Sequence, residues 1–137
     1  MFSNPIAAYQ QIGIESDVRG ADPHRLIVLL FDGAESALSK AQTQMAAQDI
    51  EGKANSISKA IEIILDGLSS SLDLNQGGEL ASSLRALYAY MVSRLVHANI
   101  HNDPIAISEV QKLLSEISGA WKEMKTNVRQ VAGDGNR

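Results

Sequence analysis

Leu72-Asp73-Leu74-Asn75-Gln76-Gly77-Gly78-Glu79-Leu80, followed by Leu84-Arg85-Ala86-Leu87-Tyr88-Ala89-Tyr90-Met91, decides how this chain folds. Glycine tolerates positive φ, so the adjacent pair Gly77-Gly78 can end one helix and turn the chain sharply into the next. Beyond that corner, Leu80, Leu84, Leu87, Tyr88, Met91, Leu95 and Ala98 recur at helical spacing. They predict a helix from Glu79 to about Asn99 with this face buried. Tyr90 points the other way, toward Ser83, Ser93 and His97.

Working outward, the same periodicity defines three more helices. Asp22-Pro23 and Asp103-Pro104 each read as an N-cap carboxylate followed by proline at the first helical position, where the missing amide hydrogen is no loss. From Pro23 to about Ala47, Leu26, Ile27, Leu30, Phe31, Ala34, Ala37, Leu38, Ala41 and Met45 share one broad face. Val28 and Leu29 fall outside it, so this helix is expected to be contacted from two sides. From about Glu51 to Leu72, Ala54, Ile57, Ile61, Ile64, Leu68 and Leu72 form a stripe suited to nearly antiparallel packing, with Ile63 off it. From Pro104 to about Val128, Val110, Leu114, Ile117, Trp121, Met124 and Val128 lie in one line. Gly33 and Gly67, inside helices, suggest close approach of a neighbouring backbone or access for a bound peptide.

Helices of about 20 to 25 residues, roughly 30 to 38 Å long at the standard rise, joined by short connections, predict an all-α, antiparallel up-down four-helix bundle. Its expected extent is residues 22–128. Residues 1–21 read as a separate N-terminal segment, a short helix or turn and then a flexible link, because Gly13 and Gly20 interrupt the apolar residues Phe2, Ile6, Tyr9, Ile12, Ile14 and Val18. Residues 129–137 read as a flexible tail.

The chain has 137 residues, 45% of them hydrophobic, which fits one domain with one core. It contains no cysteine, which excludes disulfides and cysteine-based zinc sites and points to a reducing, cytosolic setting. The first basic residue is Arg19, so the start lacks a secretory signal pattern, and no apolar run is long enough to span a bilayer. A net charge of −4 with scattered basic residues disfavours nucleic acid, which needs a concentrated basic face.

The search for chemistry is mostly negative. No glutamate has a histidine three residues later, as a di-iron bundle requires. His97 and His101, four apart with Asp103 nearby, have a spacing that can chelate a metal, but two solvated histidines near a helix end, favoured by the macrodipole, are the better reading. His97 or His101, close to Arg94, could also accept a phosphoryl group, and His24 reads as a surface residue. No nucleophile elbow or phosphate loop is present. No enzyme, metal or cofactor is expected.

These residues together resemble the FliS family of flagellar export chaperones. The resemblance runs from Ala8-Tyr9-Gln10 through Asp22-Pro23-His24-Arg25-Leu26-Ile27, Leu30-Phe31-Asp32-Gly33-Ala34 and Lys59-Ala60-Ile61-Glu62-Ile63-Ile64. It continues through Gly77-Gly78-Glu79, Leu87-Tyr88-Ala89-Tyr90-Met91, Arg94-Leu95 and Asn102-Asp103 to Ala120-Trp121. Asp22 stands where many relatives carry a small hydroxyl cap, and Phe31 where many carry tyrosine. The resemblance implies a cytoplasmic protein that binds the disordered C-terminal segment of flagellin, blocks premature polymerisation and delivers it to the type III export gate. It also implies a role for Ile6 and Tyr9 in contacting that gate. With Ile14, they are equally candidates to cap an empty groove. The apolar residues off the main stripes or at their edges, Val28, Leu29, Ile63, Leu72, Tyr88 and Tyr90, are the candidates for flagellin contact in a helix-in-groove mode. A histidine phosphotransfer bundle and a self-assembling structural protein are the alternatives, and homodimerisation stays open.

Overall fold

The computed structural model describes residues 22–135, with side chains described through Met124. Helix α1 spans Pro23–Ala46, α2 Ile50–Glu62, α3 Leu74–His101 and α4 Pro104–Gly135, so α4 runs past Val128. No strand occurs among the described residues. Aspartate opens each of the four described helices. Asp22 accepts from the Arg25 amide at 2.7 Å, Asp49 from Gly52 at 3.0 Å, Asp73 from Asn75 and Gln76 at 3.1 Å, and Asp103 from Ile105 at 3.0 Å. Each carboxylate satisfies amides that have no partner inside the helix and places negative charge at the positive end of the dipole.

The corner near Leu72 forms, but the glycine pair does not end the preceding helix as expected: that segment stops at Ser69, and Asp73 opens a new turn at Leu74 ahead of the break. Gly78 has φ 56° and ψ −132°, which breaks α3 after one turn, and the helix resumes toward Leu80. A side chain is rarely tolerated at such angles. Gly77 is needed for a different reason, because a Cβ there would lie 2.6 Å from the Ala81 Cβ. The break also corrects one expectation. Leu80 continues the apolar stripe on paper but is 68% exposed, since it sits in the first turn after the corner rather than over the core.

A second departure from regular geometry follows α2. Ile63–Ser69 is a π-helical segment, and the Ser70 amide reaches back five residues to the Leu65 carbonyl at 3.2 Å. The Ser70 hydroxyl bonds the same carbonyl at 2.9 Å, and the Ser71 hydroxyl bonds that of Gly67 at 2.6 Å. Within it Ile63, Ile64, Gly67 and Leu68 are all buried. Ile63 is thus covered despite lying off the α2 stripe, on the side that faces Gly33 and Ala37 of α1.

Side-chain bonds fix the direction of each neighbour. The start of α1 meets the later part of α4, where the His24 and Trp121 rings stack at 4.6 Å and 6°. Two bonds lock this pair: His24 Nε2 donates to the Trp121 carbonyl at 2.7 Å, and Trp121 Nε1 donates to the His24 carbonyl at 3.2 Å. At the other end of α1, the Gln42 amide donates to the Pro104 carbonyl and to Ser108 Oγ, each at 3.0 Å. The buried Lys53 at the start of α2 donates to the Asn99 carbonyl near the end of α3 at 2.8 Å, where its charge complements the negative helix end. Antiparallel α1/α4 and α2/α3 pairs follow, and α1 packs on α2 as α3 packs on α4. One core fills the centre of this ring, with Leu30, Phe31, Leu38, Ile57, Ile64, Met91, Leu95, Ile107 and Leu114 all fully enclosed.

Candidate partner-binding surface

Helix α3 sends its two neighbouring tyrosines in opposite directions, because a separation of two residues is about 200° of helix rotation. Tyr88 is 3% exposed and packs in the core, where burial pushes its phenol up to about 12. Tyr90 is 44% exposed, and its hydroxyl donates to Glu109 Oε2 on α4 at 2.5 Å. Arg94 Nε donates to the other oxygen, Oε1, at 2.8 Å. The Tyr90 bond first and the Arg94 bond second hold the Glu109 carboxyl below its ordinary range, and the same Glu109 bond raises the Tyr90 phenol. Water screens this surface network, so its effect is to orient the Tyr90 ring rather than to stabilise the fold.

Apart from Met124 on α4, the large apolar residues left exposed among the described residues fall into two sets. Leu65, Leu80, Tyr90 and Val96 lie on α3 and the adjoining π segment, whereas Ile50, Ile100 and Ile105 lie at the end of the bundle that holds the α1–α2 and α3–α4 turns. Tyr90 and Val96 are about 120° apart around α3, on opposite shoulders of the helix. Sequence reasoning named Tyr90 but not Leu65 or Val96, although Val96 lies off the α3 stripe and could have been found by the logic applied to Val28.

The other candidates are placed as follows. Val28 is buried; it lies one turn after His24 on the row that meets α4. Ile63 and Tyr88 are buried as well, while Leu29 and Leu72 are half-buried and pack against the core edge. A partner that touches Val28, Ile63 or Tyr88 must therefore open the bundle, whereas Leu29, Leu72 and Tyr90 are within reach of the closed form. Ile6, Tyr9 and Ile14 lie outside the described residues. Gly33 lines a shallow groove of about 490 Å³ between α1 and α2, bordered by Lys40 and Asn55.

Two of the three histidines, His97 and His101, lie near the end of α3. His97 Nε2 lies 3.2 Å from Asp103 Oδ2, and the His97 and His101 rings sit 4.5 Å apart. Partial burial raises the Asp103 carboxyl, but amide bonds from Ala106 and Ile105 and the contact with His97 outweigh it, so the net shift is downward. Among the described residues no group of three histidine, cysteine or acidic side chains could hold a metal ion. Nor is any helix there long and apolar enough to cross a membrane.

One acidic side chain is poorly accommodated. Glu35 Oε2 is buried with no hydrogen-bond partner, and burial raises its carboxyl above the ordinary 4.5 despite the nearby Lys122, with Asp32 adding to the rise. A carboxyl raised on folding penalises the native state above its folded pKa, and the penalty vanishes as pH falls below the unfolded value. Glu35→Gln is accordingly expected to raise the thermal midpoint at pH 7, with the gain shrinking toward zero at about pH 4. A pH-independent gain, or a loss at pH 7, would contradict this origin.

Comparison with known proteins places these features in context. A family model described as "Flagellar protein FliS" matches residues 5–128. The flagellar secretion chaperone FliS of Salmonella typhimurium is 50% identical over 119 residues, covering 87% of this chain and 88% of the relative. Its Escherichia coli counterpart is 49% identical over 116 residues, covering 85% of each. The FliS of Bacillus subtilis is 35% identical over 120 residues, covering 88% of this chain and 85% of the relative.

Proposed function

The chain belongs to the FliS family of flagellar secretion chaperones, and from that premise we propose that it binds the disordered C-terminal segment of flagellin, prevents its premature polymerisation and delivers it to the export gate. The observation that carries the reading is that the bundle closes its core while leaving Tyr90 and Val96 exposed on opposite shoulders of α3. A client reaching both must wrap across the helix, which suits a long segment that folds as it binds rather than a ligand seated in one pocket. Leu29, Leu72 and Leu65 extend the accessible apolar surface to the neighbouring elements. The protein acts, in this reading, on the cytoplasmic side of the export apparatus, with Ile6 and Tyr9 as candidates for gate contact.

Ordering a disordered client costs several kcal/mol, so much apolar surface has to be buried. Calorimetric titration with the flagellin C-terminal segment from the same organism should show saturable one-to-one binding and a negative heat-capacity change, and a scrambled peptide should show neither. Absence of heat with a folded bundle would overturn the reading. A phosphotransfer function fits less well, because His97 Nε2 already faces the Asp103 carboxylate.

A further inference from the structure

We propose that the end of the bundle built from the Ala47–Asp49 and Asn102–Asp103 connections is a second docking surface, for a protein segment that presents an aliphatic anchor flanked by lysine or arginine. A cleft of about 620 Å³ opens there between the last turn of α1, the first residue of α2 and the α3–α4 turn. Its apolar walls are Met45, Ala46, Ile50 and Pro104. The volume lies within the roughly 300–1,000 Å³ of clefts that hold ligands. At the same end Ile50 is 56% exposed, Ile100 68% and Ile105 76%.

The frame around the cleft is already set. Gln48 and Asn102 adopt left-handed φ values of 62° and 52°. The Asp49 amide bonds the Gln44 carbonyl at 2.9 Å, and the Asp103 amide bonds that of Ala98 at 3.0 Å. Both connections are thus tight turns with fixed backbone bonds, and a partner would meet a formed surface.

Charge selects the partner. The stretches 45–52 and 100–108 contain Asp49, Glu51 and Asp103 but no lysine or arginine. The next cation, Lys53, is 3% exposed and its ammonium is held on the Asn99 carbonyl. The cleft's own polar lining, Gln42, Gln48 and Asn102, is neutral, and the carboxylates of Asp49, Glu51 and Asp103 flank it along the chain, so this end complements an apolar, basic segment better than nucleic acid phosphates or anionic membranes. This end is also remote from the start of α1, which lies roughly 36 Å away along 24 helical residues. A partner here would leave Tyr90, near the middle of α3, uncovered.

The test uses the full ¹⁵N-labelled chain and two short synthetic peptides with one leucine pattern, carrying lysine or glutamate at every polar position. The lysine peptide is expected to shift the amides of Gln48, Asp49, Ile50, Asn102, Asp103 and Ile105, with an affinity that falls as salt rises. Ile50→Lys combined with Ile105→Lys should weaken it at least tenfold while the remaining amide spectrum shows an intact fold; both residues are exposed. Equal response to the two peptides, shifts centred elsewhere, or an unaffected double variant would overturn the proposal. So would concentration-dependent shifts of these amides in the free protein, which would identify the occupant as a second copy.

Discussion

Trp121→Ala is expected to lower the thermal midpoint by on the order of 10 °C. Three contributions disappear together: the stack on His24, the Nε1 bond to the His24 carbonyl, and the contact of the indole with the core edge. Full burial of a tryptophan would set the cost at roughly 3–5 kcal/mol, and partial burial brings it to about 2–3. Trp121→Phe keeps an aromatic ring over His24 and loses the bond, so about 1 kcal/mol is expected. Because the two side chains touch, His24→Ala and Trp121→Ala should couple, with the double variant milder than the sum by at least ~0.5 kcal/mol. A Trp121→Ala midpoint within a degree or two of the parent would mean that the later part of α4 does not hold α1 in solution.

The second large effect concerns the client. Val96→Asp puts a carboxylate on one shoulder of α3 at a position already 44% exposed, so the fold should be kept. Affinity for the flagellin C-terminal segment should fall by at least tenfold, about 1.4 kcal/mol. On the other shoulder, Tyr90→Ala should cost a similar amount, because an interfacial aromatic ring contributes large contact area at low entropy cost. Tyr90→Phe separates ring from hydroxyl. It removes the bond to Glu109 and keeps the apolar face, so near-parental affinity is expected if the ring makes the contact. If both shoulder variants titrate like the parent, the client lies elsewhere on the bundle, and Leu29 with the α1–α2 groove becomes the surface to test.

Local chemistry made much of this fold legible. Gly78 could be recognised because few other residues occupy its backbone angles, and Asp22 and Asp103 because proline follows each. Asp49 and Asp73 cap helices in the same way, but no proline follows either, so the sequence alone does not mark them. The opposed directions of Tyr88 and Tyr90 followed from helical rotation alone. What could not be read depended on distant residues or altered periodicity. His24 looked like a surface residue because its partner lies 97 positions away. The stripe that puts Leu80 in the core assumes an unbroken helix, and Ile63 lies off a stripe drawn at α spacing just where the chain changes to π spacing. The accessible part of the candidate surface was legible at Tyr90, whereas Leu65 and Val96 became distinguishable only once exposure was known.

The wide turns of Ile63–Ser69 bear on how the lineage of this chain could change in length. A helix whose ends are fixed by packing can accommodate one surplus residue by lengthening its internal bonds from four residues to five, and can lose that residue by reverting. Here Ile57 and Ala60 anchor one side of the segment and the Gly77-Gly78 corner the other, while exposed Leu65 and Asp66 occupy the outer side. Deletion of one codon at this point is therefore expected to return the segment to α spacing, with the two flanking halves of the bundle keeping their registration against α1 and α4.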